Sequence, residues 1–316
     1  MKYIKYGSIA VVTAALLWSV DGLLRRHLYV LPAPVIVFYE HLFGLIVLSP
    51  FILSSWKAFK QLTRKQWYAI IGVSFLSGAV GTILYTAALG RIQFIPFSVV
   101  VLLQQLNPIF AIIAAALLLK EPLGKNFFGL AAVALVAAYF LTFPNISVNF
   151  STGSGTAIAA LFAVGAAAAW GFSTAFSKYA LKDTSSLHIT AARFTFTPIF
   201  ALMFVALSGS THALGELTTS EFGYIVAITF STGLLALLIY YFGLKRVPAS
   251  RAALLELAWP LSAVLVGWIW LDQGLTVSQG IAAVILTGTI YLIAKDAEKT
   301  VAIKPKKAVS KQTAKA

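Results

Sequence analysis

Apolar runs of about twenty residues recur along this chain from near its start to Ala294, separated by short polar or Gly/Pro clusters. A helix of that length spans the hydrocarbon core of a bilayer, about 30 Å. The runs account for most of the sequence: 59% of its 316 residues are hydrophobic and 11% charged, with a mean hydropathy of +0.88. A soluble domain carries about a quarter charged residues. So much apolar surface has no place in water, and lipid is the solvent. The first run follows Lys2 and Lys5 as a signal peptide would, but no small-x-small cleavage site follows it and the same segment recurs later. The absence of cysteine removes disulfides, thiolate catalysis and thiolate metal sites together.

Ten spans are expected, at 6–25, 34–54, 66–89, 96–119, 124–143, 155–180, 186–207, 221–244, 249–270 and 275–294. The cations orient them. With the N-terminus inside, the cytoplasmic segments collect Lys2, Lys5, Lys57, Lys60, Arg64, Lys65, Lys120, Lys125, Lys178, Lys182, Lys245, Arg246 and Arg251, and the tail adds seven lysines from Lys295 to Lys315. The outer side receives Arg25, Arg26 and Arg91. Such a bias places both termini in the cytoplasm. The formal net charge of +14 therefore reflects topology, and no nucleic-acid partner is expected. The tail, 295–316, is Lys-rich and expected to be disordered, in contact at most with anionic headgroups.

The two halves repeat one another. Ala15-Leu16-Leu17-Trp18-Ser19 matches Ala167-Ala168-Ala169-Trp170-Gly171, Arg26 meets Lys178, and His41 meets Arg193. Tyr85 with Leu89-Gly90-Arg91 matches Tyr240 with Leu244-Lys245-Arg246, and Asn107-Pro108-Ile109 matches Trp259-Pro260-Leu261. The expected organisation is a first repeat over 1–144, a linker over 145–154, a second repeat over 155–294, and the tail. Five helices per repeat is an odd number, so the second copy must cross in the opposite sense. The loop after the second span carries four basic residues, Lys57, Lys60, Arg64 and Lys65, while its counterpart after the seventh span carries none. Inverted repeats suit alternating access, because exchanging the conformations of two similar halves opens the opposite side.

Paired Ala-Trp-Gly/Ser openings, Leu-x-Arg-Ile/Val segments, a mid-helix Pro and then Lys120-Glu121 or Leu271-Asp272 followed by Gly resemble the EamA branch of the drug/metabolite transporter superfamily over residues 7–294. The resemblance implies an all-α polytopic membrane protein: ten transmembrane helices as two inverted five-helix repeats, the first four of each around a central cavity and the fifth of each at the periphery. It further implies transport of a small solute, with amino acids, nucleotide-linked sugars, cofactors, quaternary amines and drugs all within the family's range.

An ionisable side chain in mid-membrane costs several kcal/mol unless paired or hydrated, so each one marks a candidate site. Glu256 leads. It lies one helical turn before Pro260, which removes a backbone hydrogen bond and should free the carbonyl near residue 256. Gln104 holds the matching position, with Gln105 and Asn107 before Pro108. Helix–helix hydrogen bonding accounts for these amides as well as solute binding does. Arg193, the only cation deep in an expected span, is a substrate-binding candidate for a carboxylate or phosphate; the favoured reading is that it balances Glu256 until a substrate intervenes. Glu40 and His41 suggest a proton relay or side chains reaching the outer interface. Asp21 is explained by a local pair with Arg25, and is carried as a further proton-coupling candidate. Trp18, Trp170, Tyr85, Tyr240 and Trp259 are candidate cavity residues, with aromatic packing as the alternative for the repeated pairs. His occurs at 27, 41, 188 and 212, and no HExxH, nucleophile elbow or phosphate loop is present. No catalytic residue, metal or cofactor is therefore expected. The expectation is a secondary transporter of a small polar or amphipathic metabolite such as an amino acid, exporting it and coupled to protons through Glu256. A facilitative carrier of a cofactor, nucleotide-linked sugar or quaternary amine, and a non-transporting receptor or structural protein, stand as alternatives. Monomer and homodimer are equally open.

Overall fold

The computed structural model describes residues 2–91, 100, 103–142, 155–262, 268 and 276–313. Every regular element among them is helical. In chain order these are α1 Lys2–Trp18, α2 Asp21–Arg25, α3 Ala33–Ser54, α4 Trp56–Lys60, α5 Arg64–Val73, α6 Thr82–Leu89, α7 Asn107–Leu118, α8 Lys125–Thr142, α9 Gly155–Ala180, α10 Ser186–Leu207, α11 Thr219–Ile228, α12 Leu234–Leu244, α13 Ala249–Leu255 and α14 Val277–Thr313, with a few short 3₁₀ turns. Wide π-helical turns, Ser74–Gly81 and Thr229–Gly233, join α5 to α6 and α11 to α12 into continuous rods.

Seven helical segments among the described residues are long and apolar enough to cross a membrane: Lys5–Leu28, Ala33–Ser54, Arg64–Leu89, Ile158–Ala180, Ser186–Leu207, Thr219–Leu244 and Val277–Asp296. Asn107–Leu118 and Asn126–Leu141 are shorter apolar helices. The expected ninth span begins with α13, and most of its second half lies outside the described residues, as do the start of the fourth span and the 145–154 linker. One expectation changes. The first span breaks at residues 19–20, directly after Trp18. The last helix continues past the expected tenth span through Thr313.

Local signals set the helix starts. Thr63 and Gln66 form a capping box at the head of α5, and Thr218 and Glu221 form another at the head of α11. The two boxes are separated in sequence by the same interval as Tyr85 and Tyr240, so the repeat extends to its punctuation. Ser185 caps α10.

Packing across the repeats is reciprocal. α3 lies against α10, second helix on second; α1 packs on α12 while α9 packs on the α5–α6 rod, first helix on third in both directions. α7 crosses α9, and α8 lies along α14. Lipid offers no hydrophobic drive for helix association, so close backbone approach through small residues supplies the contact. On α1 the buried stripe is Gly7, Ala10, Val11, Ala14 and Ala15; on α9 it is Ala159, Ala163, Ala166 and Ala167, both at helical spacing. Large apolar residues such as Ile9, Leu16, Ile158 and Leu161 face outward. Gly171 shows how tight the crossings are: a Cβ there would lie 2.7 Å from the Asn107 carbonyl oxygen and 2.9 Å from the Ala111 nitrogen.

Candidate functional site

The first four expected spans of each repeat surround a cavity of about 190 Å³, measured as the space open to the centre of a water molecule. A single buried water needs about one tenth of that, so the space is sized for a solute. Each of the candidate residues lines it: Trp18, Asp21, Glu40, His41, Tyr85, Gln104, Gln105, Asn107, Pro108, Trp170, Arg193, Tyr240, Glu256, Trp259 and Pro260.

Both proline-bearing segments interrupt their helices where the sequence suggests. The chain forms a turn at residues 105–106, before α7, and again at 256–257, after α13. The carbonyl expected to be free at Glu256 is not. It accepts the Trp259 N–H at 2.9 Å, because the helix tightens locally to an i→i+3 bond when the proline removes the regular one. The Glu256 side chain is held instead, by Tyr240 Oη donating at 2.7 Å and Asn107 Nδ2 donating at 3.2 Å. Gln104 Nε2 donates to the Ala163 carbonyl at 2.7 Å.

Two tryptophans form matching walls. Trp18 and Tyr240 have ring centroids 5.2 Å apart at 55°, and Trp170 and Tyr85 repeat both values. Trp18 Nε1 donates to the Thr232 carbonyl at 2.9 Å and Trp170 Nε1 to the Ser77 carbonyl at 3.2 Å. Both acceptors sit in the π-helical turns, whose wider winding leaves carbonyls available to side chains. The alternative of plain aromatic packing is thereby narrowed: these rings pack and also line the cavity.

The charges pair differently from the expectation. Arg193 does not meet Glu256. Its Nη1 donates to Tyr241 Oη at 3.1 Å, and that hydroxyl lies 3.3 Å from Ser177 Oγ. Nor is Arg193 the single buried cation, because Arg25, assigned from the sequence to an outer loop, is 3% exposed. The break after Trp18 starts a new helix that carries Arg25 inward. Its Nε contacts Asp21 Oδ2 at 2.5 Å, Nη2 contacts Glu40 Oε2 at 2.8 Å, and Nη1 donates to Thr86 Oγ1 at 3.2 Å. Thr232 Oγ1 completes the group by donating to Asp21 Oδ1 at 2.6 Å. The local Asp21–Arg25 pair is thus present but is one edge of a larger cluster. Glu40 and His41 do not bond to each other among the described residues. His41 Nδ1 lies 2.9 Å from the Val37 carbonyl oxygen and its ring stacks on Phe194, 5.0 Å between centroids, so the proposed relay has no direct link here.

Sequence reasoning missed Arg25, Tyr241, Ser77, Ser173, Ser177 and Thr232 as cavity residues. Signals existed for some of them. Arg25 and Ser177 occupy the same repeat position, and Tyr241 adjoins the singled-out Tyr240, but a lone hydroxyl in an apolar helix is too common to flag.

The family model for EamA-like transporters matches residues 5–143 and again 157–295. The chain belongs to the EamA-like transporter family. It is accordingly a multi-pass membrane transporter and not an enzyme. Among curated relatives, this EamA-like transporter is 32% identical over 302 residues to the riboflavin transporter ImpX of Fusobacterium nucleatum subsp. nucleatum, an alignment covering 92% of this chain and 97% of the relative. A protein solved by crystallography superposes on it with a TM-score of 0.71 at 18% identity, over 93% of this chain and 97% of its own; that likeness concerns the fold.

Proposed function

We propose that this EamA-like transporter carries riboflavin, or a flavin-like heterocycle of the same shape, across the cytoplasmic membrane by alternating access. The observation that carries the reading is the pair of Trp–Tyr walls facing one cavity. Large rigid rings offer a flat conjugated solute extensive contact at small entropic cost. Amides and hydroxyls between them supply the few placed polar groups that orient such a ligand. The riboflavin transporter similar along nearly its full length supports the same cargo.

Ten spans in two inverted repeats, with both termini inside, complete the proposal. The reciprocal packing of first helix on third, the mirrored tryptophan hydrogen bonds and the basic residues of the expected cytoplasmic segments support that arrangement. Glu256 is assigned the coupling proton. It lines the cavity with neutral partners, whereas Asp21 and Glu40 are held by Arg25.

An amino acid is the second reading, favoured by one observation: Glu256 and Arg193 line the same cavity with opposite charges not spent on each other. Flux into and out of proteoliposomes separates the two. Riboflavin moving down an imposed gradient while amino acids do not is the expected result; amino-acid flux without riboflavin flux refutes the proposal.

A further inference from the structure

Hydrogen-bonding capacity is distributed unevenly around the cavity. Gln104 lies just before the turn at residues 105–106, and Asn107 opens α7 just after it. Both have amide N–H groups in use, Gln104 on the Ala163 carbonyl and Asn107 on Glu256. Among the described residues, Gln104 Oε1 and Asn107 Oδ1 are buried with no partner, and Gln104 as a whole is 5% exposed. With the Glu256 carboxylate beside Asn107, this part of the lining presents unspent acceptors. Arg193, 8% exposed, presents the reverse. A guanidinium only donates, Nη1 is used on Tyr241 Oη, and Nε is buried with no partner among the described residues.

We infer that the cavity sorts its cargo by hydrogen-bonding sense, so that a bound flavin turns its hydroxylated chain toward Gln104 and Asn107 and the carbonyl-bearing edge of its ring toward Arg193. This rests on the flavin reading and adds an orientation to it. A ribityl chain carries four hydroxyl donors; the ring carries a single N–H and two carbonyls. Donors therefore go to the unspent amide oxygens and the carbonyls to the guanidinium. The opposite pose sets carbonyl oxygens against amide oxygens, leaving both sides buried and unpaired, which is the costly arrangement. Arg193 is accordingly the specificity-determining residue for the ring, and Gln104 with Asn107 for the chain.

Three ligands test this on the unmodified full-length protein in detergent, by quenching of flavin fluorescence on titration. Lumiflavin keeps the ring and lacks the hydroxyls. It should bind roughly tenfold or more weaker than riboflavin, the scale of a buried acceptor left without its donor. Flavin mononucleotide carries a phosphate at the chain end and should bind weaker still, since that pose brings its charge toward Glu256, which Asn107 contacts. Arg193→Met should weaken riboflavin and lumiflavin by similar factors and preserve their ratio, while Gln104→Leu should bring the ratio toward one. Flavin mononucleotide binding as tightly as riboflavin, equal affinities for riboflavin and lumiflavin, or a ratio that collapses in Arg193→Met overturns the orientation. Failure of all three ligands to bind the unmodified protein instead overturns the flavin reading itself.

Discussion

Replacing Arg25 by methionine takes the cation from between two buried carboxylates, which the structure places 2.5 and 2.8 Å from the guanidinium. Asp21 keeps the Thr232 hydroxyl, but nothing described takes over the guanidinium contact of Glu40. Removing one partner from a buried ion pair costs about 3–5 kcal/mol, because the remaining charge stays desolvated. At about 2–4 °C per kcal/mol, a scale drawn from domains of 150–250 residues, the melting temperature should fall by roughly 6–20 °C. A triple variant, Asp21→Asn with Arg25→Met and Glu40→Gln, removes all three charges at similar volume. Replacement of whole buried ionic groups is often neutral or stabilising, so the triple variant should recover most of the loss. Thermal unfolding of the purified protein followed by tryptophan fluorescence is a suitable assay, since Trp18 donates to the backbone of the same Thr232. Arg25→Met melting within about 1 °C of the unmodified protein, a small fraction of that expected loss, would refute the reasoning, as would a triple variant no more stable than the single one.

Gly171→Val should lower stability by about 1–3 kcal/mol or more, because its Cβ would meet Phe110 Cβ at 2.6 Å as well as the α7 backbone; an unchanged melting curve refutes the close crossing of α7 and α9. Glu256→Gln should abolish the response of riboflavin flux to an imposed pH gradient in proteoliposomes while leaving downhill exchange measurable; a retained response excludes Glu256 as the coupling group. Glu121 accepts from the Ala249 and Ser250 N–H groups at 2.7 and 3.0 Å, capping α13 from the other repeat. Glu121→Ala should cost about 0.5–2 kcal/mol of stability, the range of a lost helix cap, and a melting temperature equal to that of the parent protein contradicts that role.

The residues around the cavity were legible because the membrane makes them conspicuous. A polar or ionisable side chain in an apolar run is costly, so Glu40, His41, Gln104, Arg193 and Glu256 stand out without any structure, and the prolines at 108 and 260 mark the helix breaks beside them. Arg25 was not legible in the same way. It adjoins Arg26 at the end of an apolar run, where an interfacial cation is ordinary, and the turn at residues 19–20 that redirects it has no proline to announce it.

Sequence by itself determined the solvent of this chain, its duplicated organisation and the side chains that must be sheltered from lipid, since these follow from composition and from spacing along one helix. Tertiary structure alone decided which sheltered groups meet. Spacing of three or four residues assigns a side chain to a face, but a hydrogen bond is settled within a few tenths of an ångström, and that distance belongs to the crossing of separate helices. So Asn107 of one repeat and Tyr240 of the other hold Glu256, Tyr241 holds Arg193, and Arg25 joins Asp21 to Glu40.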